Sequence, residues 1–286
     1  MNKLQKNLTG AFNMEKISIG SDPEILLYSE LENKFKSVAG LIGGTKDAPT
    51  PITDKGHFIQ EDGVAAEFNI PPCVTPGDFS YHINFVLNYL RDTITGPNNL
   101  ILSTKASAMF THEELKSKQA NEIGCTPDLN AWKLEYNNPQ GYTSNLRAVG
   151  GHVHVGYNSP SESTSIEIAK TLDLFLGVPS VLLDDDTDRR SLYGKAGAMR
   201  FKPFGMEYRT LSNFWIHDEV LIKWVFTNTI KAIEYLNIGG EVTNPDEVQK
   251  AINTCDKSLA QEIISDYNIE MPVLTKKIDD LYVGID

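Results

Sequence analysis

Two short segments hold the residue types best suited to chemistry: Gly150-Gly151-His152-Val153-His154-Val155-Gly156, and, further along, Gly205-Met206-Glu207-Tyr208-Arg209. In a strand alternate side chains share a face, so His152 aligns with His154 and Glu207 with Arg209. Paired imidazoles suit a divalent cation. A carboxylate beside a guanidinium suits a cation together with the phosphate it neutralises. Taken alone, a His-x-His is as often a hydrogen-bonded structural pair, and a Glu-x-Arg is more often a weak surface ion pair. Their surroundings favour function. Glycines beside the histidines let backbone or ligand approach closely, and the stretch from Asp188 to Arg200 places Arg189, Arg190, Lys195 and Arg200 beside Gly194 and Gly197. Cations with accessible amides stabilise phosphoryl oxygens, so this stretch reads as a phosphate-binding loop. The chain has no GxxxxGK[ST], and Gly40-Leu41-Ile42-Gly43-Gly44-Thr45-Lys46 only approximates one, so a nucleotide site here is not a P-loop.

Early acids complete the set. Asp22 and Glu24 flank Pro23, and Glu67 shares a strand face with Asn69. Such acids are individually ordinary edge residues, but oxygen ligands from several strands are what magnesium or manganese requires.

The elements that must position these groups are mixed strands and helices without a regular βαβ rhythm. Residues 16–29 read as a strand with 34–39 as its hairpin partner, and 57–70 as a β pair turning at Glu61-Asp62-Gly63. A helix is expected from Asp78 to Ile94 behind the Thr75-Pro76-Gly77 turn, with Ile83, Val86, Leu87, Leu90 and Ile94 on one face. Residues 111–147 read as irregular and polar, a candidate substrate loop carrying Glu122, Asp128, Asn130, Trp132 and Tyr136. A helix near 163–176 follows the histidine strand, then the basic loop and a strand at 205–211. Residues 218–286 read as two amphipathic helices, the second opening at Asn244-Pro245. Residues 1–15 are expected to be a disordered extension ahead of a single domain over 16–286.

Composition sets the class. A 286-residue chain with 41% hydrophobic residues buries a sizeable core, and a net charge of -12 argues against a general nucleic-acid or membrane surface. Cys73, Cys125 and Cys255 are widely spaced and odd in number, which fits a reducing cytoplasm rather than a disulfide framework. The longest apolar stretch, Leu172 to Leu183, is broken by Asp173, Gly177 and Pro179, so no membrane span is expected. Oligomeric state is not legible.

Asp22-Pro23-Glu24, Glu67-Phe68-Asn69, Gly151 to Gly156, Tyr193-Gly194-Lys195-Ala196-Gly197, Arg200-Phe201 and Glu207-Tyr208-Arg209, with Gly124-Cys125-Thr126-Pro127-Asp128, together resemble the phage-type carboxylate-amine ligase family. That family (COOH-NH2 ligase type 2) belongs to the glutamine synthetase and glutamate-cysteine ligase superfamily, and the resemblance runs over roughly residues 16–217. It implies an α+β fold: a curved, mainly antiparallel sheet with helices on its outer face, like the glutamine synthetase catalytic domain. It implies that Glu24, Glu67, His154 and Glu207 hold magnesium, or manganese in its place, with Asp22 as a shorter-reaching addition. It also implies that Arg209 and Arg200 act on the transferred phosphoryl group, and that Lys195, Arg190, Arg189 and His152 bind or support the nucleotide. The implied reaction is ATP-dependent: a carboxylate takes the γ-phosphate to give an acyl phosphate, then an amine displaces phosphate to form an amide or isopeptide bond. Glu61 and Asp62 are candidate proton acceptors from the amine. The expected partners are a small-molecule or peptide carboxylate and an amine, in the cytoplasm, or the host's if phage-encoded. Two other classes compete. A zinc-dependent hydrolase would use the same histidines and acids without ATP, and a non-catalytic binding protein would keep only the fold.

Overall fold

The computed structural model of the chain describes residues 12–121, 128–137 and 145–274. The segment Gly124–Pro127 and Glu122 lie outside the described residues, as do residues 1–11. Phe12 is buried against Tyr157, and Met14–Lys16 forms a single 3-10 turn.

The strands that build the polar face are β1 (Ser18–Ser21), β2 (Glu24–Ile25), β3 (Phe58–Asp62), β4 (Ala65–Asn69), β5 (Leu129–Asn130), β6 (Glu135–Tyr136), β7 (Val153–Gly156), β8 (Ala198–Lys202) and β9 (Gly205–Tyr208). A six-stranded sheet runs in the order β1-β7-β9-β8-β5-β6, and β2-β4-β3 form a second sheet with Thr50–Pro51 at its edge. Every strand pairing in both sheets is antiparallel. Besides a single turn at Lys118–Asn121, the α-helices among the described residues are α1 (Pro76–Leu90), α2 (Glu162–Leu172), α3 (Val178–Leu183), α4 (Thr187–Leu192), α5 (Glu219–Asn237), α6 (Pro245–Thr254) and α7 (Lys257–Asp266). The protein is thus a mixed assembly of helices and antiparallel sheet.

Alternation explains the two faces of the larger sheet. Ile19, Val153, Val155, Met199, Met206 and Tyr208 are fully buried and belong to the main hydrophobic core with α1, α2 and α5. The intervening positions, His154, Arg200, Lys202 and Glu207, fall on the opposite face. Burying six such side chains away from water supplies the drive that holds the sheet on its helices.

Several sequence expectations shift by a few residues, for stated reasons. The hairpin turns at Gly63-Val64, where Gly63 adopts a left-handed φ of 59°, so Glu61 and Asp62 stay inside β3. Residues 16–29 are not one strand: Pro23, which has no N–H to donate, breaks the run and passes the chain from β1 in one sheet to β2 in the other. The first helix ends as an α-helix at Leu90 and finishes as a π turn over Arg91–Thr95. Residues 188–200 are not an open loop, since Thr187–Leu192 is helical with Asp186 capping it. The described part of 111–147 is partly regular, as β5 and β6 extend the large sheet and Leu146–Ala148 pairs with Ser107–Met109. The described carboxyl-terminal residues hold three helices, because Cys255 in the left-handed region and the Asp256 cap divide the expected second one. Among the described residues no helix is long and apolar enough to cross a membrane.

Candidate active site

Strand register assembles the site. Gly20 pairs with His154, His154 with Glu207, and Glu207 with Arg200, so one row across β1, β7, β9 and β8 carries an imidazole, a carboxylate and a guanidinium side by side. In the second sheet Glu24 pairs with Glu67 and Glu67 with Gln60, which makes a parallel row of oxygens across β2, β4 and β3. The two rows meet where the chain steps through Pro23. Asp22 joins the first group and Glu24 the second.

The first group is Asp22, His152 and Glu207, whose donor atoms lie within 4.8 Å of one another. His152 Nδ1 is 3.3 Å from Asp22 Oδ1 and 3.6 Å from Glu207 Oε1. His154 approaches from outside, its Nε2 at 3.1 Å from Asp22 Oδ1 and its ring against Phe204. His152, rather than His154, is therefore the imidazole shared with Glu207. Two glycines make this seating workable: a Cβ on Gly150 would lie 2.2 Å from His152 Nε2, and one on Gly151 would lie 2.3 Å from the Ser212 carbonyl.

The second group is Glu24, Asp62 and Glu67, also within 4.8 Å of one another. Gln60 donates to Glu67 Oε2 at 2.7 Å, and the Gly150 amide donates to Glu24 Oε2 at 2.8 Å. Asp62 reaches this group because the turn falls at Gly63-Val64, which places it on the same face as Gln60. Sequence reasoning gave Asp62 only as a proton acceptor. Its period-two spacing from Gln60, once the hairpin turn is fixed, is the signal that would have placed it.

Cations close one side. Arg209 donates through Nε to Asp128 Oδ1 at 2.5 Å and through Nη1 to Glu207, and the same Nη1 is 3.1 Å from His152 Nδ1. Lys202 Nζ sits 2.6 Å from Glu207 Oε2, while Arg200 is 3.9 Å from Glu207 and 3.8 Å from Asp128. Lys202 and its partner role were missed from sequence because a lysine at a strand end is ordinarily a solvated edge residue.

Electrostatics separates the two acid groups. Burial and the charge of Asp22 push Glu207 up, but Arg209, His152 and Lys202 outweigh them and bring its carboxyl to about 2. Burial also raises Asp22, yet the two histidines hold it well below the ordinary carboxylate range. Glu67 goes the other way: burial, then the charges of Asp22, Glu24 and Asp62, raise it well above its ordinary value. Burial raises Glu24 as well. The exposed Lys46, 3.9 Å from Asp62, offers the three carboxyl groups of this second group one ammonium, and the charge left over is what a hard divalent cation neutralises. At the edge of the first group, Asp22 Oδ1 and the neighbouring His154 Nε2 are buried 3.1 Å apart without a hydrogen bond of proper geometry, a pair of polar atoms that a cation would satisfy better than they satisfy each other. Both donor sets therefore fit magnesium or manganese.

The other basic residues are placed elsewhere. Arg189 is buried with its nitrogens on the carbonyls of Val149, Thr210 and Arg209, which ties three backbone segments together. Arg190 is buried against Ser180 and Asp184. Burial lowers the half-buried Lys195, which faces Cys255 and Arg190. These three cations, expected at the nucleotide, are not brought to the acid cluster, because the helical turn of α4 points the two arginines into the fold. Glu61 is likewise not positioned as a proton acceptor: it accepts from the amides of Gly40, Ile42 and Gly43 and from Gln119, and so anchors the glycine loop.

Residues 140–277 match the family model described as Phage phiEco32-like COOH.NH2 ligase-type 2. Over that segment the resemblance read from the motifs is shown. It contains His152, His154, Arg200, Glu207 and Arg209, whereas Asp22, Glu24, Asp62 and Glu67 precede it. No curated protein matches the sequence. Among solved structures, a bifunctional glutathione synthetase from Pasteurella multocida is similar at 12% identity and a TM-score of 0.42; the likeness covers 94% of this chain and 51% of that one, so this chain spans about half of that protein's length.

Proposed function

We propose, from the ligase-family match over residues 140–277 and the two acid groups that meet at Asp22 and Glu24, that this chain is an ATP-dependent carboxylate-amine ligase. The single observation that carries the reading is the junction itself. Carboxylates from two sheets converge beside a cluster of Arg209, Arg200 and Lys202, which is the charge pattern that phosphoryl transfer between two anions needs. A glutamine synthetase-like arrangement of the sheets is part of the same proposal.

Asp22, His152 and Glu207 would hold one divalent cation and Glu24, Asp62 and Glu67 another; when bound, such ions neutralise phosphate charge and orient its oxygens. The chain's own residues do the rest. Arg209, fixed by Asp128 and Glu207, presents a preorganised guanidinium at the point where charge builds on the transferred phosphoryl group. Arg200 and Lys202 flank it. In the first step an oxygen of the substrate carboxylate attacks the γ-phosphorus, the bond to the β-phosphate oxygen breaks, and ADP leaves with its electron pair. In the second step the amine nitrogen attacks the acyl carbon, loses its proton, and inorganic phosphate departs. Direct condensation of carboxylate with ammonium is unfavourable in water, and cleavage of ATP supplies the drive.

The test is phosphate release by the purified protein with ATP and magnesium over pooled amino acids and peptides. Release that requires both a carboxylate and an amine, with ADP and an amide mass as products, is expected. Glu207→Gln, which keeps the shape but removes the charge shared by Arg209 and Lys202, should lower turnover by at least about a hundredfold. Hydrolysis of a pool member without ATP would instead indicate the zinc hydrolase.

A further inference from the structure

The acid groups border a cavity of about 630 Å³ that continues away from the arginines, along β3 and β4. Its direction follows from the strand register. Gln60 faces Glu67, Phe58 faces Asn69 one row further, and the turn carrying Asp54, Lys55 and Gly56 lies beyond, all of them lining the cavity. Gly56 lies four steps along the chain from Gln60, two of them outside β3, and at an extended rise this is about 13 Å.

The ends of this cavity differ in charge. The inner end holds Asp22, Glu67 and Lys202, next to the proposed chemistry. The outer end carries both signs, Asp54 and Lys55, while Lys46, 3.9 Å from Asp62, stands at the inner end with the acids. A triphosphate would be repelled by Asp54 and is better matched by the guanidinium groups of Arg200 and Arg209, which lie on the other side of the acid row, on β8 and after β9. Between the ends, Phe58, Ile70 and Pro71 offer apolar walls while Asn69 offers an amide. The outer turn is held in place: Thr53 Oγ1 is 2.7 Å from His57 Nδ1, and His57 Nε2 is 2.8 Å from His82 Nδ1 on α1.

A single amino acid placed with its carboxylate at the inner end is too short to touch the outer charges. An extended chain covers about 3.3–3.6 Å per residue, so three or four residues span the distance. We propose that this cavity binds the carboxylate substrate, and that the substrate is a short peptide whose C-terminal carboxylate lies at Glu67 and Lys202 and whose amino terminus reaches Asp54. This assignment rests on the ligase reading for the fate of the carboxylate, though the peptide site itself can be tested without nucleotide. The cavity is built largely from residues 22–72, outside the segment that matches the ligase family. The part of the chain that builds the cavity also supplies Asp22, Glu24, Asp62 and Glu67, whereas Arg200, Lys202 and Arg209 come from the matched segment.

The experiment is affinity selection with mass detection, using magnesium-loaded protein and equimolar peptide pools of one, two, three and four residues, each with free and acetylated amino termini. AMP-PNP binding is measured in parallel. Free three- and four-residue peptides should be retained at least tenfold over single amino acids. Asp54→Asn should remove the preference for a free amino terminus, and Lys55→Glu should weaken retention, both without changing AMP-PNP affinity or the unfolding midpoint. Both positions are exposed, so the fold is kept. Retention that peaks at single amino acids, no retention in any pool, or a loss of AMP-PNP binding in these variants would overturn the assignment. Wild-type protein that retains peptides but does not bind AMP-PNP with magnesium would support the peptide site and count against the ligase reading.

Discussion

At the scale of single residues, Arg209 carries the most specific expectation. Its guanidinium is held at two points, by Asp128 and Glu207, and only a planar fork can satisfy both while presenting an edge to phosphate. Arg209→Lys should reduce kcat by about a hundredfold while the KM for ATP changes little, as steady-state kinetics would show. A change confined to KM would make it a binding residue. Behind the same strand, Asp173 accepts from Tyr208, Trp132 and Thr210, and burial raises its carboxyl to about 7 despite those bonds. An acid whose folded-state value lies above its unfolded one binds a proton more tightly when folded. Its contribution to stability is complete below its unfolded value, near 3.8, and is lost as pH rises through about 7. Asp173→Asn should therefore flatten the fall in stability between those pH values, measured as unfolding midpoints across the range. Parallel curves for the two proteins would contradict it. That the histidine pair, Glu207 and Arg209 share one site was legible from type and spacing, but the sequence favoured His154 over His152 as the ligand, and it did not reveal the inward-facing Arg189. A run of cations has the same sequence whether it faces phosphate or backbone carbonyls, and only the cap at Asp186 and the helix it starts decide the direction.

At the scale of elements, the site depends on how closely segments can approach. Gly150 has room for no side chain because the His152 ring fills that space, and its amide also holds Glu24. Gly150→Ala should displace the His152 ring while leaving the sheet paired. The expected result is manganese affinity lowered about tenfold or more with a far-ultraviolet spectrum unchanged; unaltered affinity would remove His152 from the site. The strands carrying the motifs and most helices could be read from alternation and helical periodicity, the short β5 and β6 could not, and Thr75 caps α1 where the sequence placed a turn. Turn position was harder to read. A shift of two residues in the 57–70 hairpin leaves the hydrophobic pattern intact, since the period is two, yet it moves Asp62 from the turn into the acid group.

At the scale of the whole molecule, the candidate active face is a seam between two sheets, and the dipeptide step around Pro23 is what joins them. The larger sheet contributes the cations, histidines and Glu207, and lies mainly within the segment matched to the ligase family. The smaller sheet contributes Glu24, Asp62 and Glu67 and the wall of the long cavity. No single strand pattern reveals that two sheets meet, because the contact joins residues far apart in the chain; the resemblance ordered the motifs, but the pairing of Asp22 with one group and Glu24 with the other needed the fold. The most direct test of the central claim follows the oxygen atoms. Peptide and amino-acid pools labelled with heavy oxygen in their carboxyl groups would be turned over with ATP, magnesium and an amine, and the released phosphate analysed by mass. One labelled oxygen per phosphate, matched to amide formed, is the predicted result. Unlabelled phosphate accompanying amide formation would contradict activation of the carboxylate by phosphoryl transfer.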